Sequence, residues 1–350
     1  MKNVKSSHVV VVAVMVLAAL AVTVKADPPF TVVVGGLQNP RGLTFGPGGR
    51  LYVAQAGAGK ISEIRKPSSA TPVLRDIVTG LPAEPDGPNF VGVDGISALG
   101  NGNIAAIMAE SEAGGGPPLF GHLLEFNVAG HGRDLANVGD YNYAWSAEHV
   151  DLAPNDFPDS NPYGVLAVPG GVYVADAGTN TLNFVKANGD ISILAYFPNN
   201  RIADATPTCI AQGPDGALYV GTLALRDSIA TRSPKAIVYR VDPSQADPDD
   251  LNTILTLATP WATGVWPING CAFGPDGSFY ASQLFTTWPP PFSRGDVVKI
   301  PFATPAVHTF MTGGALTAPG GVAVAPDGTV YVSNGSAFAP EGQVVRLANR

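Results

Sequence analysis

Apolar residues alternate with small or polar residues in short runs along the chain, and a tight turn separates each pair of runs. In residues 42–53, GLTF is followed by the turn GPGG and then by RLYV. Alternation with a period of two predicts β-strands. Because proline presets φ, aspartate bonds its own backbone and glycine accepts positive φ, this pattern predicts a hairpin.

The same pattern recurs six times. The copies are residues 42–53, 95–106, 164–174, 209–220, 270–281 and 321–332. A third strand is predicted after each copy, at residues 60–64, 121–126, 181–185, 236–241, 296–300 and 343–347. A fourth follows five copies, at residues 73–79, 134–138, 191–196, 253–257 and 308–312. The last copy lacks a fourth strand, whereas residues 31–34 form a spare strand before the first copy.

A spare strand at one end and a missing strand at the other indicate a closed ring. We therefore predict an all-β fold, a six-bladed β-propeller of four-stranded blades, as a single domain over residues 27–350. The N-terminal strand is expected to complete the last blade, and no long helix is expected. The alternative is an open β-solenoid, which requires capping repeats and leaves the spare strand unexplained.

An apolar run precedes the repeats. Lys2 and Lys5 come before residues 9–24, and small residues flank Lys25. This order is typical of a secretory signal peptide, predicted over residues 1–26. The alternative is a membrane anchor, but the run is shorter than the ~20 residues that span a bilayer. We therefore expect a secreted, extracellular or periplasmic protein with no membrane contact after cleavage.

Charge narrows the range of partners. Removing Lys2, Lys5 and Lys25 with the signal peptide lowers the 20 basic residues to 17, against 28 acidic residues, a net charge of about −11. Because an acidic protein repels phosphate backbones, no nucleic-acid binding is expected. Cys209 and Cys271 occupy nearly equivalent positions in neighbouring inner strands. They either form a disulfide or, since they are offset by one residue, point apart.

The strand order sorts the connections onto two faces. The turns inside the repeats share one face, which we expect to be scaffold. The variable loops and the segments that lead into each blade share the opposite, loop-rich face, where binding sites are expected. The longest lead-in segment, residues 140–161, carries aromatic and ionisable side chains, namely Tyr141, Tyr143, Trp145, Glu148 and His149.

Two further tryptophans belong to the same face, Trp266 before the fifth copy and Trp288 in the loop of residues 284–295. Together these aromatic residues predict a cleft for an apolar or aromatic small molecule. The alternative is that they pack onto the ends of the blades.

The candidates for proton transfer are Glu148 or His149, followed by Glu110, which lies beside a loop rich in glycine and proline. Arg41 lies at the start of the first inner strand, and two roles are open to it. It binds an anionic group of the ligand, or it clamps a neighbouring blade through carbonyl oxygens.

Five stretches together resemble the ScyD/ScyE family: NPRGL at 39–43, DY at 140–141, SNPYGV at 160–165, VADAGTN at 174–180 and GPDGALYVG at 213–221. The likeness covers roughly residues 30–349. It implies a secreted propeller with NHL-like repeats, from a family named after exported proteins encoded beside genes for biosynthesis of the pigment scytonemin. No catalytic residues are carried over from the family.

The architecture is more distantly similar to six-bladed lactonases, gluconolactonase-like hydrolases and strictosidine-synthase-like enzymes. Many of the hydrolases hold a divalent metal, often calcium, over the central channel with carboxylate and amide oxygens. Matching oxygen donors lead into five blades of this chain, namely Asn39, Asp94, Asn161, Asp204 and Asn269. The alternative is structural, because asparagine before proline or glycine favours a turn.

Two functions remain open. The first is a protein of small-molecule metabolism that binds an apolar or aromatic compound, with hydrolysis of a cyclic ester, cyclisation or condensation as candidate reactions. The second is a non-catalytic extracellular propeller that presents the same face to a protein or a glycan.

Overall fold

The computed structural model describes residues 28–110, 117–198, 205–289, 294–337 and 341–348. The predicted signal peptide, residues 1–26, lies outside the described residues. The strands form six antiparallel four-stranded sheets and one two-stranded hairpin. The predicted six-bladed propeller is therefore confirmed.

Each blade except the last is built from strands that are consecutive in the chain. The chain begins with β1 (Phe30–Leu37). Blade one contains β2 (Pro40–Gly46), β3 (Arg50–Gln55), β4 (Lys60–Arg65) and β5 (Val73–Val78). A hairpin, β6 (Glu84–Asp86) and β7 (Asn89–Val91), leads into blade two. Blade two contains β8 (Val93–Ala98), β9 (Ile104–Met108), β10 (His122–Phe126) and β11 (Gly132–Asn137). Helix α1 (Val138–Glu148) follows it.

Blade three contains β12 (Pro162–Val168), β13 (Gly171–Asp176), β14 (Thr181–Lys186) and β15 (Ile191–Tyr196). Blade four contains β16 (Pro207–Gln212), β17 (Leu218–Thr222), helix α2 (Leu225–Thr231), β18 (Ala236–Val241), helix α3 (Leu251–Thr256) and β19 (Thr259–Val265). Blade five contains β20 (Ile268–Phe273), β21 (Phe279–Gln283), β22 (Asp296–Ile300) and β23 (Thr309–Phe310). Blade six contains β24 (Val322–Val324), β25 (Val330–Asn334) and β26 (Gly342–Leu347).

The N-terminal strand closes the ring. Strand β1 pairs antiparallel with β26, with Phe30 opposite Leu347 and Val32 opposite Val345. It thus supplies the outermost strand that the sixth repeat lacks. The pairing covers the edge of β26 and joins the two ends of the chain in one blade, which closes the ring.

The glycine that begins most repeats allows the innermost strands to approach one another closely around the axis. A Cβ added to it would lie 2.4 to 2.6 Å from a carbonyl oxygen of the next blade, at Gly42, Gly95, Gly164, Gly270 and Gly321. The sixth junction has Cys209 instead, and this residue forms a disulfide with Cys271 at a Cα–Cα distance of 5.7 Å. The cysteine pair therefore joins blades four and five covalently.

Hydrophobic cores fill the spaces between blades. Tyr52 and Ile61 of blade one, for example, pack with Ile96 and Ile104 of blade two, and all four are buried. Each fully buried side chain of this kind contributes about 1.5–3 kcal/mol. The blades are therefore held mainly by packing between their faces.

The tight turns have the chemistry expected from their sequence. Asp276 accepts a hydrogen bond from Ser278 N at 3.0 Å and forms an ion pair with Lys299 at 2.7 Å. Burial raises the pKa of Asp276, but the bonds from Lys299 and Ser278 outweigh it and lower the pKa to about 2. Asp215 and Asp327 make the same backbone contact in their own turns.

The helices differ from the sequence prediction, and α2 lies where only a loop was expected. Residues 253–257 were expected to form the fourth strand of blade four, but Asp250 accepts hydrogen bonds from Asn252 N and Thr253 N and caps α3 there. The fourth strand is β19, which follows the helix. Helix α1 also begins where only a loop was expected, directly after β11. Among the described residues, no helix is long and apolar enough to cross a membrane.

Candidate functional site

The six innermost strands surround a central channel that opens on the loop-rich face. The residue just before each repeat glycine, or before Cys209, lies at this opening. We call these residues the mouth ring: Arg41, Asp94, Tyr163, Thr208, Asn269 and Gly320. All but Gly320 line a narrow cavity of about 60 Å³.

Arg41 and Asp94 form an ion pair between blades one and two. Nη1 of Arg41 lies 2.7 Å from each carboxylate oxygen of Asp94, and Nη2 donates to the carbonyl oxygen of Phe90 at 2.6 Å. The Arg41 side chain is 15% exposed, whereas that of Asp94 is fully buried. Arg41 therefore contacts the neighbouring blade through one carbonyl oxygen, as one of its two expected roles required, and mainly through a carboxylate.

Burial and charge act on this pair in opposite directions. Burial raises the pKa of Asp94 to about 7, although the Arg41 guanidinium lowers it, and Glu110 adds to the increase. Burial lowers the pKa of Arg41, but Asp94, Tyr163 and Glu110 outweigh it and raise that pKa. Arg41 is therefore charged at every physiological pH, with Asp94 as its counter-charge above about pH 7.

Tyr163 and Asn269 continue the contacts across the mouth. The guanidinium carbon of Arg41 lies 5.7 Å from the centroid of the Tyr163 ring. The Tyr163 hydroxyl donates to Oδ1 of Asn269 at 2.9 Å, and Asn269 Nδ2 donates to the carbonyl oxygen of Pro319 at 3.2 Å. Burial raises the pKa of Tyr163 to about 12, so this hydroxyl is protonated at neutral pH.

Two of the predicted calcium ligands lie outside the mouth ring. Asn39 and Asn161 each stand two residues before a ring position, and they contact the loop of the preceding blade. Asn39 Nδ2 donates to the carbonyl oxygen of Ser336 at 3.2 Å, and Asn161 Oδ1 accepts from Glu110 N at 3.3 Å. A third candidate, Asp204, lies outside the described residues.

The remaining oxygen donors do not fit a calcium ion. Both oxygens of Asp94 accept from Arg41, and Oδ1 of Asn269 accepts from the Tyr163 hydroxyl. Calcium takes six to eight oxygen ligands, and the oxygens at the mouth are already bonded to donors of the chain. Over the residues that the structure describes, no three His, Cys, Asp or Glu side chains group in a way that could hold a metal.

Of the three candidates for proton transfer, Glu110 lies beside the mouth. Its φ is +40°, its backbone contacts Asn161, and its carboxylate is near enough to act on the pKa values of Arg41 and Asp94. It is exposed to solvent. Of the three candidates, Glu110 is therefore the one whose charge acts on residues of the mouth ring.

The residues of α1 lie farther from the channel. Trp145 stacks on His149 with ring centroids 4.3 Å apart, and His149 Nδ1 bonds to the carbonyl oxygen of Trp145 at 2.8 Å. Trp145 packs with Phe157 and Tyr196, and Tyr196 ends β15, the outermost strand of blade three. Glu148 is exposed at the end of the helix. The structure thus does not bring Glu148 or His149 to the mouth ring.

The other predicted aromatic residues are also spread out. Tyr141 is 41% exposed on α1, and Tyr143 is partly buried there. Trp266 packs against Phe285 at a centroid distance of 5.4 Å. Trp288 lies beneath the guanidinium of Arg232 at 5.7 Å. Instead of one cleft, the tryptophans form separate contacts over blade three and over blades four and five.

The channel widens below the mouth. Its lower part has a volume of about 310 Å³ and opens toward the tight turns, and none of the described residues that line it is charged. Thr44, Phe45, Ser97 and Phe273 are among the lining residues, and Cys271 contributes to both parts. The charged groups of the channel therefore belong to the mouth on the loop-rich face.

No protein-family model matches the sequence, and no curated protein matches it. Solved structures do resemble the fold. Virginiamycin B lyase from Staphylococcus aureus is 16% identical with a TM-score of 0.52, covering 91% of this chain and 100% of that one. A calcium-binding regucalcin from Agrobacterium tumefaciens is 15% identical with a TM-score of 0.55, covering 92% and 94%.

A gluconolactonase from Xanthomonas campestris is 8% identical with a TM-score of 0.57, covering 91% of this chain and 89% of that one. These neighbours are six-bladed propellers that include enzymes and a calcium-binding protein. At such low identities the likeness shows the fold alone. It is compatible with a propeller that binds small molecules.

Proposed function

We propose that this protein is an exported propeller of small-molecule metabolism that binds an organic ligand at the mouth ring. The observation that carries the proposal is the connected set of Arg41, Asp94, Tyr163 and Asn269, because four blades supply these side chains to one opening. The resemblance to the ScyD/ScyE family supports export, to the extracellular space or periplasm, and a role in secondary metabolism.

The size of the cavity limits what enters it. At the mouth the cavity is narrow, about 60 Å³. The polar side chains that line it suit a carbonyl, hydroxyl or carboxylate group of a ligand. We therefore place the apolar body of the ligand on the loops above the mouth and its polar group against Arg41 and Tyr163.

The same arrangement suits acid–base chemistry on a cyclic ester. Glu110 accepts a proton as water adds to the carbonyl carbon, and Arg41 stabilises the negative charge that develops on the carbonyl oxygen. The ester C–O bond then breaks, and the departing alkoxide takes up the proton from Glu110. No metal participates in this scheme.

A non-catalytic role is the second candidate. Tyr141 and Val150 are 41% and 39% exposed at the two ends of the segment that contains α1. Exposed apolar side chains on the loop-rich face are suited to contact a protein partner or a glycan. In this role the same face would bind without turnover.

The test incubates the purified mature protein with an extract of its host and follows small molecules by mass spectrometry. The variants are Arg41→Ala and Glu110→Gln, with Glu148→Gln as the matched control on α1. We expect turnover by the wild type and Glu148→Gln, and its loss in the other two. Turnover that survives both changes at the mouth would contradict the proposed site. Retention of a compound without turnover would favour the binding role.

A further inference from the structure

The Arg41 guanidinium occupies a cage of oxygen atoms. Two oxygens of Asp94 and the carbonyl oxygen of Phe90 converge on its Nη atoms at 2.7, 2.7 and 2.6 Å. A carboxylate together with a backbone carbonyl is the kind of oxygen set that a hard divalent cation takes. In this chain the set surrounds a positive charge that the protein itself supplies.

From this geometry we infer that Arg41 is a built-in cation that takes the place of a divalent metal at the channel mouth. The inference rests on the proposed role of the mouth ring in binding a ligand. It adds that recognition of an oxygen atom of the ligand depends on a guanidinium and needs no metal. It also assigns Arg41 as the residue that excludes calcium.

Competition for Asp94 is the physical reason for the exclusion. A calcium ion at the mouth would have to displace Arg41 from both oxygens of Asp94, its nearest anionic partner. The guanidinium would then lose its counter-charge in a site where its side chain is only 15% exposed. Two positive groups would also repel each other across a cavity of about 60 Å³.

The mouth ring also indicates how to reverse the exclusion. Asn269 occupies in blade five the position that Arg41 occupies in blade one. Changing Arg41→Asn would remove the guanidinium, release Asp94 and the carbonyl of Phe90, and add an amide oxygen. Glu110 lies close enough to contribute negative charge. The variant should therefore acquire calcium affinity that the wild type lacks.

The experiment uses the full mature protein and calcium alone as the probe, by isothermal titration calorimetry and by thermal unfolding with calcium or EDTA. We expect no heat of binding and no change in Tm for the wild type. Arg41→Asn should bind calcium and gain Tm in its presence, and Arg41→Asn/Asp94→Asn should lose both effects. Arg41→Lys, which keeps the charge, is the matched control and should not bind.

Two results would overturn the inference. One is calcium binding by the wild type that Asp94→Asn abolishes. The other is a folded Arg41→Asn variant without calcium affinity, because another feature would then exclude the metal. If Arg41→Asn does not fold, Arg41→Gln takes its place with the same expectation. Since no organic ligand is used, these outcomes are independent of the turnover test of the proposed function.

Discussion

Arg41 and Asp94 are 53 positions apart in the chain, yet Nη1 of Arg41 lies 2.7 Å from both carboxylate oxygens of Asp94. The ring geometry causes this contact, because both residues stand immediately before the repeat glycine of their blades. The ring therefore brings together around the axis the six residues that occupy this same position in the six repeats. Where its side chains are complementary, they form a site that no single repeat contains.

The first prediction concerns the pH dependence of stability. The folded-state pKa of Asp94, about 7, is above the ~3.9 of an unfolded chain. Its contribution to stability is thus complete below about pH 4 and is lost as the pH rises through 7. Arg41→Met removes the group that lowers this pKa. Near pH 8 we expect a loss of about 1.5–3 kcal/mol, because the charged hydrogen bonds of the pair are lost and the buried carboxyl of Asp94, whose pKa rises further, takes up a proton.

Urea unfolding at a series of pH values measures this effect. The loss in Arg41→Met should shrink near pH 5, where the carboxyl of Asp94 is protonated in the folded state. Arg41→Met/Asp94→Leu is the matched control and should show no such pH dependence. A loss that stays equal at every pH would mean that Arg41 stabilises the protein only by packing.

The second prediction concerns the disulfide between Cys209 and Cys271, which are 62 positions apart. Closing a loop of this length is expected to contribute about 2–4 kcal/mol. Cys209→Ala/Cys271→Ala should therefore fold but unfold at a lower urea concentration. A reductant should lower the urea midpoint of the wild type and leave that of the double variant unchanged. Equal midpoints for the two proteins under non-reducing conditions would show that the bond adds nothing to stability.

The blade count, the ring closure and the chemistry of the turns could be predicted because they depend on local signals that repeat. Helix α1 could not. After Val138 at its start, its buried residues are small or polar, among them Asn142, which bonds Asp176 at 2.7 Å, and Ser146, which bonds the carbonyl of Asp159 at 3.0 Å. A helix that buries polar groups has no apolar stripe for sequence analysis to find.

The sequence predicted only part of the candidate site, and the reason is related. Arg41, Asp94 and Asn269 were singled out by residue type, but Tyr163 was not, because tyrosine in a strand is an ordinary core residue. Aligning the six copies one residue upstream of the glycine would have identified it. Which of these side chains pair, however, depends on the approach of different blades.

The third prediction concerns the close approach of the innermost strands of neighbouring blades at the repeat glycine. A Cβ at Gly95 would lie 2.4 Å from the carbonyl oxygen of Tyr163, which is backbone and cannot rotate away. We expect Gly95→Ala to cost about 1–3 kcal/mol through overpacking, and to shift Tyr163 at the mouth. Gly35→Ala is the matched control, since nothing lies within 4 Å of an added Cβ there. Similar unfolding midpoints for the two variants would contradict the role of glycine in the ring.

The fourth prediction compares two glutamines that end the second strands of blades one and five. Nε2 of Gln55 donates to Ser62 Oγ at 2.7 Å, and its Oε1 accepts from Gln38 N at 3.3 Å. Oε1 of Gln283 is buried and has no hydrogen-bond partner among the residues that the structure describes. Pro267 holds the position of Asn161, whose backbone N–H bonds Asp176 in blade three, and proline has no N–H to offer there.

Methionine keeps the length of glutamine but removes both polar atoms. Gln55→Met should therefore lower the free energy of unfolding by about 1–2 kcal/mol through two lost hydrogen bonds, whereas Gln283→Met should be neutral or stabilising. Urea unfolding of the two variants side by side measures the difference. A larger loss of unfolding free energy in Gln283→Met than in Gln55→Met would mean that a bound water or ligand satisfies Oε1 of Gln283.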